Sequence, residues 1–181
     1  HNQIRVDSSY KLTDLKQLEP FNECQSLEIR NNQINNCISL YRLLQLKTLN
    51  LSHNQIEKLP SLVPLSNLQT LDVSNNKISS LDFLVSQQSL QELQIAQNCI
   101  KELVVLPLSM VRLNVEQNEI SSLEPVRHSR LQFLNVSQNK ISNQSEIKIL
   151  LQMLELRQVS IVKNPISKDL PADFKQQFQG G

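Results

Sequence analysis

The chain has 181 residues, enough for one domain with a substantial core, and 39% of them are hydrophobic, the balance of a folding chain. Its 18 basic and 17 acidic residues leave a formal charge of +1, which gives no electrostatic grip on nucleic acid or an anionic membrane. The two glycines, Gly180 and Gly181, stand at the extreme end, so there is no P-loop, dinucleotide fingerprint or nucleophile elbow, and no apolar run approaches the ~20 residues that span a bilayer.

The first four residues, His1-Asn2-Gln3-Ile4, recur as His53-Asn54-Gln55-Ile56. Residues 1–23 therefore read as a partial repeat whose strand is absent, followed by an insertion around residues 5–20 with Leu12, Leu15 and Leu18 as its apolar face. On this reading the chain is a fragment of a longer one.

From residue 24 one pattern repeats: apolar-x-x-apolar-x-apolar-x-x-Asn-x-Ile. Its asparagines are Asn32, Asn54, Asn76, Asn98, Asn118, Asn139 and Asn164, at steps of 22, 22, 22, 20, 21 and 25 residues. Within each copy the Leu-x-Leu run has the period of a strand. Apolar residues follow the isoleucine at +3 and +6 (Leu59 and Leu62, Leu81 and Leu84), which suits a 3₁₀-like return path. Each copy is one coil that cannot bury its apolar face alone, and stacked coils share one core. The asparagines read as a structural ladder, their amides satisfying turn backbone in two adjacent coils.

This pattern resembles the leucine-rich repeat. Its mostly 22-residue period with Asn-x-Ile resembles the class named after a regulatory subunit of protein phosphatase 1. The resemblance covers residues 24–166. It implies an α/β solenoid: a curved parallel sheet on the concave face, short 3₁₀ or helical segments on the convex face, and a partner that is another protein. Among the settings it implies are phosphatase regulation, spliceosomal scaffolding and axonemal attachment.

Towards the end, Ser145-Glu146 precedes Ile147, Leu150, Leu151 and Leu154 at helical spacing, which explains the 25-residue step. Leu170, Phe174 and Phe178 then fall on one helix face. Residues 167–181 read as a C-terminal cap over the last coil, with a partner-binding helix as the alternative. The whole is expected to be a single domain of seven repeats over 24–166 between its two flanks.

Little in the chain suggests catalysis. Cys24 and Cys37 take repeat positions that are leucine elsewhere, Cys99 lies on a turn, and none has metal or redox spacing. No nucleophile–base pair or pocketed carboxylate pair emerges. We expect no enzyme activity, cofactor, metal or small-molecule substrate. The lack of cysteine-rich ends favours an intracellular setting, whether cytoplasmic, cytoskeletal or nuclear. Three sequons begin at Asn50, Asn135 and Asn143. An extracellular recognition domain and a structural spacer within a larger assembly are the alternatives.

The strand residues that alternate with the core must face the concavity. From them we take Glu28, Arg30, Asp72, Glu92, Gln94, Arg112, Asn114, Glu116, Phe133 and Asn135 as the candidate partner-binding surface. Glu92 and Arg112 are expected to sit side by side and pair. Phe133, the single aromatic of this face, is read either as a binding hot spot beside Arg112 or as a ring packed on its neighbours. The face is mildly acidic and suits a polar or basic segment. A second apolar patch is placed at Phe83, Val104 and Val105, with burial in the return segments as the alternative.

Overall fold

The computed structural model describes residues 2–6, 8–85 and 87–178; His1, at the head of the duplicated tetrapeptide, and residues 179–181, at the end of the expected cap, lie outside them. Eight three-residue strands form one parallel sheet in strict chain order: β1 (Gln3–Arg5), β2 (Ser26–Glu28), β3 (Thr48–Asn50), β4 (Thr70–Asp72), β5 (Glu92–Gln94), β6 (Arg112–Asn114), β7 (Phe133–Asn135) and β8 (Gln158–Ser160). The sheet is curved and does not close on itself. Each strand has its middle residue turned inward, and Leu27, Leu49, Leu71, Leu93, Leu113, Leu134 and Val159 are all buried. They join one continuous core with the isoleucines and the return-path leucines. The fold is the expected solenoid of one strand per coil.

After each strand the chain must turn inward, and one residue per coil takes up a left-handed backbone conformation. Asn31, His53, Asn75, Gln97, Gln117, Gln138 and Lys163 have φ between 54° and 59°. Glycine would enter this region without steric cost, yet the chain uses mostly Asn and Gln. Each of these residues directly precedes a ladder asparagine.

That asparagine satisfies the backbone the turn would otherwise strand. Asn54 Oδ1 accepts the Ile34 N–H of the preceding coil at 3.0 Å. Its Nδ2 donates to Ile29 O of that coil at 2.9 Å, and to Leu51 O and Ser52 O of its own at 2.9 and 3.2 Å. The same pattern runs through Asn76, Asn98, Asn118 and Asn139. Asn164 keeps the link to Ile141 N–H at 3.0 Å and to Val136 O at 2.8 Å. Asn32 accepts from Leu12 N–H at 3.0 Å.

This last bond corrects the reading of the first coil. Ile4 pairs with Leu27 in the sheet, so it occupies the strand centre and does not match Ile56. Leu12 takes the place of Ile34, because its N–H goes to the next ladder asparagine. The first coil thus has its strand, and the inferred insertion shrinks to one extra residue: Val6 to Leu12 spans six steps where Ile29 to Ile34 spans five. The ladder position itself is Tyr10, which is exposed.

Return paths vary between coils. Short 3₁₀ segments occur at Ile38–Arg42, Asp82–Leu84, Glu124–Val126 and Pro165–Asp169, whereas residues 101–106 have no helix. In the seventh coil the return is α1 (Gln144–Gln152), which is capped by Asn143, two residues earlier than the Ser145-Glu146 signal suggests; its Oδ1 accepts Ser145 N–H at 3.0 Å. From α1, buried Glu146 accepts the Leu123 N–H at 2.6 Å. Buried Gln87 similarly ties its coil to the previous one through Leu62 O and Leu65 O, both at 3.3 Å. In α2 (Ala172–Phe178), Phe174 is fully buried in the core and Phe178 packs against it, ring centroids 5.1 Å apart.

Two outcomes follow for stability. Asn118→Ala removes the partner of Ile100 N–H and Ile95 O inside the core, so it should lower unfolding free energy by about 2–4 kcal/mol in urea titrations. Burial pushes the Cys37 thiol up to about 12 from 9.0. A raised folded-state pKa means that the folded chain holds its proton longer, so stability present below pH 9 is lost as pH rises towards 12. Alkaline denaturation of Cys37→Val should lack that part of the slope.

Candidate functional site

The outward strand positions form three columns across the sheet, with adjacent members about 4.8 Å apart. The middle column largely serves the fold. Asn50, Asp72, Asn114 and Asn135 each use a side-chain oxygen to accept the backbone N–H two residues on, at 2.9–3.0 Å. These Asx turns end the strands and aim the chain into the left-handed corner. Sequence reading took Asp72, Asn114 and Asn135 as partner contacts and missed this role. The recurring Asn/Asp-x-Ser spacing at 50–52, 72–74 and 135–137 carried the signal. In the third column Ser52 and Ser137 are buried.

Most charged side chains of this face already have an ion-pair or hydrogen-bond partner within the chain. Glu28 lies 2.7 Å from Arg30 Nε and 3.7 Å from Arg5 Nε. Glu92 accepts from Gln94 Nε2 at 3.0 Å. Glu116 accepts from Asn135 Nδ2 at 3.1 Å and from Gln138 Nε2 at 2.6 Å.

Arg112 differs. It sits beside Glu92 in the sheet, as expected, but the two form no ion pair. Its guanidinium lies instead over the Phe133 ring, 3.7 Å from the centroid. A stack of this kind uses the face of the planar group and leaves its N–H edge free. Phe133 is half-buried, so the ring both packs on its neighbour and stays open to the surface. Below the stack is a depression of about 240 Å³ lined by Gln94, Arg112, Asn114, Phe133, Asn135, Gln158 and Ser160. Five of the ten candidate residues thus line one depression at β5–β7, with Glu92 and Glu116 also at this end, and Glu28, Arg30 and Asp72 lie towards the other.

The proposed second patch does not form. Phe83 is 3% exposed, turned into the core by the 3₁₀ segment Asp82–Leu84, and Val104 is partly buried. Val105, in the matching slot of the helix-free coil, is 82% exposed. A different row is exposed on the return side: Tyr41, Val63 and Val85, each nine residues after its ladder asparagine. Its signal was the 22-residue recurrence of an apolar residue outside the core series.

The sequons also differ in setting. Asn50 and Asn135 are half-buried on the sheet, while Asn143 is exposed at the start of α1. Cys24 and Cys37 are buried free thiols and Cys99 is an exposed one. Among the described residues, no group of three His, Cys, Asp or Glu could hold a metal ion, and no helix is long and apolar enough to cross a membrane.

Comparison with known proteins agrees with the geometry. Residues 44–86 and 66–108 match the profile of leucine-rich repeats in two copies. No curated protein matches the chain. Among solved structures it is similar to an internalin (inlF) from Listeria monocytogenes: 24% identity, TM-score 0.81, 90% of this chain and 48% of that one. It is similar to a leucine-rich repeat protein of Leptospira interrogans at 23% identity and TM-score 0.74, over 85% of this chain and 41% of that one. It also resembles a chain of the TLR13–ssRNA13 complex at 22% identity and TM-score 0.68, over 84% of this chain and 23% of that one. The chain spans less than half the length of each. At these identities the likeness shows the fold: a leucine-rich repeat solenoid.

The Arg112–Phe133 stack should register in a double-mutant cycle. Arg112→Ala and Phe133→Ala should show a coupling of about 0.5–1 kcal/mol in thermal or urea unfolding, with each single change leaving the fold intact.

Proposed function

We propose that this leucine-rich repeat solenoid is a non-enzymatic interaction scaffold that binds a protein partner through its concave sheet. The observation that carries the reading is the exposed stack of Arg112 on Phe133 above a polar depression. An aromatic ring beside an arginine on a rigid face is what interaction hot spots are made of. Stacked coils are ordered before binding, so little conformational entropy is lost on association. The mixed-sign face and near-neutral chain support a protein rather than a nucleic acid as partner.

We assign the repeats to the 22-residue class that resembles a regulatory subunit of protein phosphatase 1, on the spacing of the ladder asparagines. The phosphatase is one setting of the scaffold. Phe133 is the one aromatic among the described strand residues, and this sparse aromatic content argues for another partner. Three free thiols support an intracellular setting. An extracellular recognition domain is the second reading, favoured by the exposed sequon at Asn143 and compatible with the internalin likeness.

Affinity purification with mass spectrometry, from the cell that makes the protein, tests the scaffold. Arg112→Glu/Phe133→Ala, verified as folded by circular dichroism, should lose one specific partner retained by the unaltered chain. An unchanged partner set would reject the concave site and turn attention to the Tyr41–Val63–Val85 row.

A further inference from the structure

The formal charges of the concave face suggest a basic partner, but one of its arginines stands apart from them. Glu28, Glu92 and Glu116 each have a donor within the chain, and Asp72 accepts the Ser74 N–H. Arg5 and Arg30 are matched by Glu28. Among the described residues, Arg112 has no carboxylate within ion-pair distance, although Glu92 is its neighbour in the sheet. Arg112 is therefore the arginine of this face that lacks an anionic partner.

We propose that Arg112 receives a carboxylate side chain, Asp or Glu, from an extended segment of the partner protein, with Phe133 as its stacking platform. This deepens the concave-face reading above and rests on it. The ring fixes the plane of the guanidinium at 3.7 Å, so the fork of N–H donors is oriented before the ligand arrives. A carboxylate meets that fork through two parallel hydrogen bonds, the strongest neutralisation a side chain offers here. The amides of Gln94, Asn114 and Gln158 line the same depression and supply polar contacts to a peptide backbone. At about 240 Å³ the depression holds side chains, not a folded element, which is why the ligand is an extended segment. Glu92 and Glu116 then act as selectivity elements. They repel a segment that carries further acidic residues on either side, so one isolated carboxylate is preferred over an acidic run.

Selection of a phage-displayed random 12-residue peptide library on the 181-residue chain tests this. Enriched peptides should share an Asp or Glu at one fixed position, without acidic neighbours. The best peptide, made synthetically, should bind about tenfold or more weakly to Arg112→Gln, and equally weakly to the unaltered chain when its acid is replaced by the amide. Affinity should also fall below about pH 4.5, as a carboxylate protonates. Enrichment of basic or neutral peptides, or no enrichment, would overturn the proposal. A third variant, Thr70→Arg/Gln158→Arg, crowds the face without removing Arg112. Peptides sensitive to this variant but not to Arg112→Gln would leave the concave reading intact and reject the carboxylate. Peptides indifferent to both would reject the concave reading itself.

Discussion

Everything in this fold depends on how the backbone is satisfied where each coil turns inward after three strand residues. The turn carries N–H and C=O groups into the interior, where each unpaired one costs about 1–3 kcal/mol. In each coil after the first, one asparagine amide answers them, accepting from the coil before and, as at Asn54, donating to both. The bonds run between neighbours only, so the ladder transmits order one coil at a time. It also explains the tolerance of the spacing. The ladder bond to the preceding coil is kept when 18 residues separate its ends, as between Ile100 and Asn118, and when 23 do, as between Ile141 and Asn164. Whatever lies between is free to be a 3₁₀ turn, an extended path or a helix.

The same economy decides which surface is left for binding. A three-residue strand offers two outward positions, and the residue after its next inward neighbour gives a third. The middle column ends the strands through Asx turns, and the third is partly buried. The first column, which runs Thr48, Thr70, Glu92, Arg112, Phe133 and Gln158, carries the least structural duty. Its chemistry is concentrated at β5–β7. The remainder of the face is short and polar, and its two arginines, Arg5 and Arg30, share Glu28.

The repeat was legible because seven copies state the same rule, and the strand register, the core and the ladder all follow from it. The first coil was misplaced because its ladder residue is Tyr10, and the tetrapeptide at 1–4 matches a turn segment by letters while pairing with β2 places Gln3 and Ile4 in a strand. Phe83 and Val105 share a slot in the repeat yet face opposite ways. The slot is defined by counting, whereas the side-chain direction is set by the 3₁₀ turn that one coil has and the other lacks. The concave columns could be read from the period of two. Which of their side chains pair could not, because register puts Glu92 and Phe133 on either side of Arg112 and leaves the choice to side-chain geometry.

That choice has consequences for recognition. Had Arg112 closed on Glu92, the exposed pair would contribute only about 0–1 kcal/mol, and the arginine would already have its anion. By lying on Phe133, the arginine gives up a solvent-screened ion pair for a stack of similar strength and keeps its donors available. Glu92 in turn is held by Gln94, two residues along the same strand. The two neighbours are thereby separated into a donor site and a flanking negative charge. A rigid sheet makes this separation persistent: the strands beneath are fixed by their ladder bonds, and the outward groups inherit that fixity. In this solenoid the interior amides do more than hold coils together. They set the frame on which one unpaired cation can be displayed.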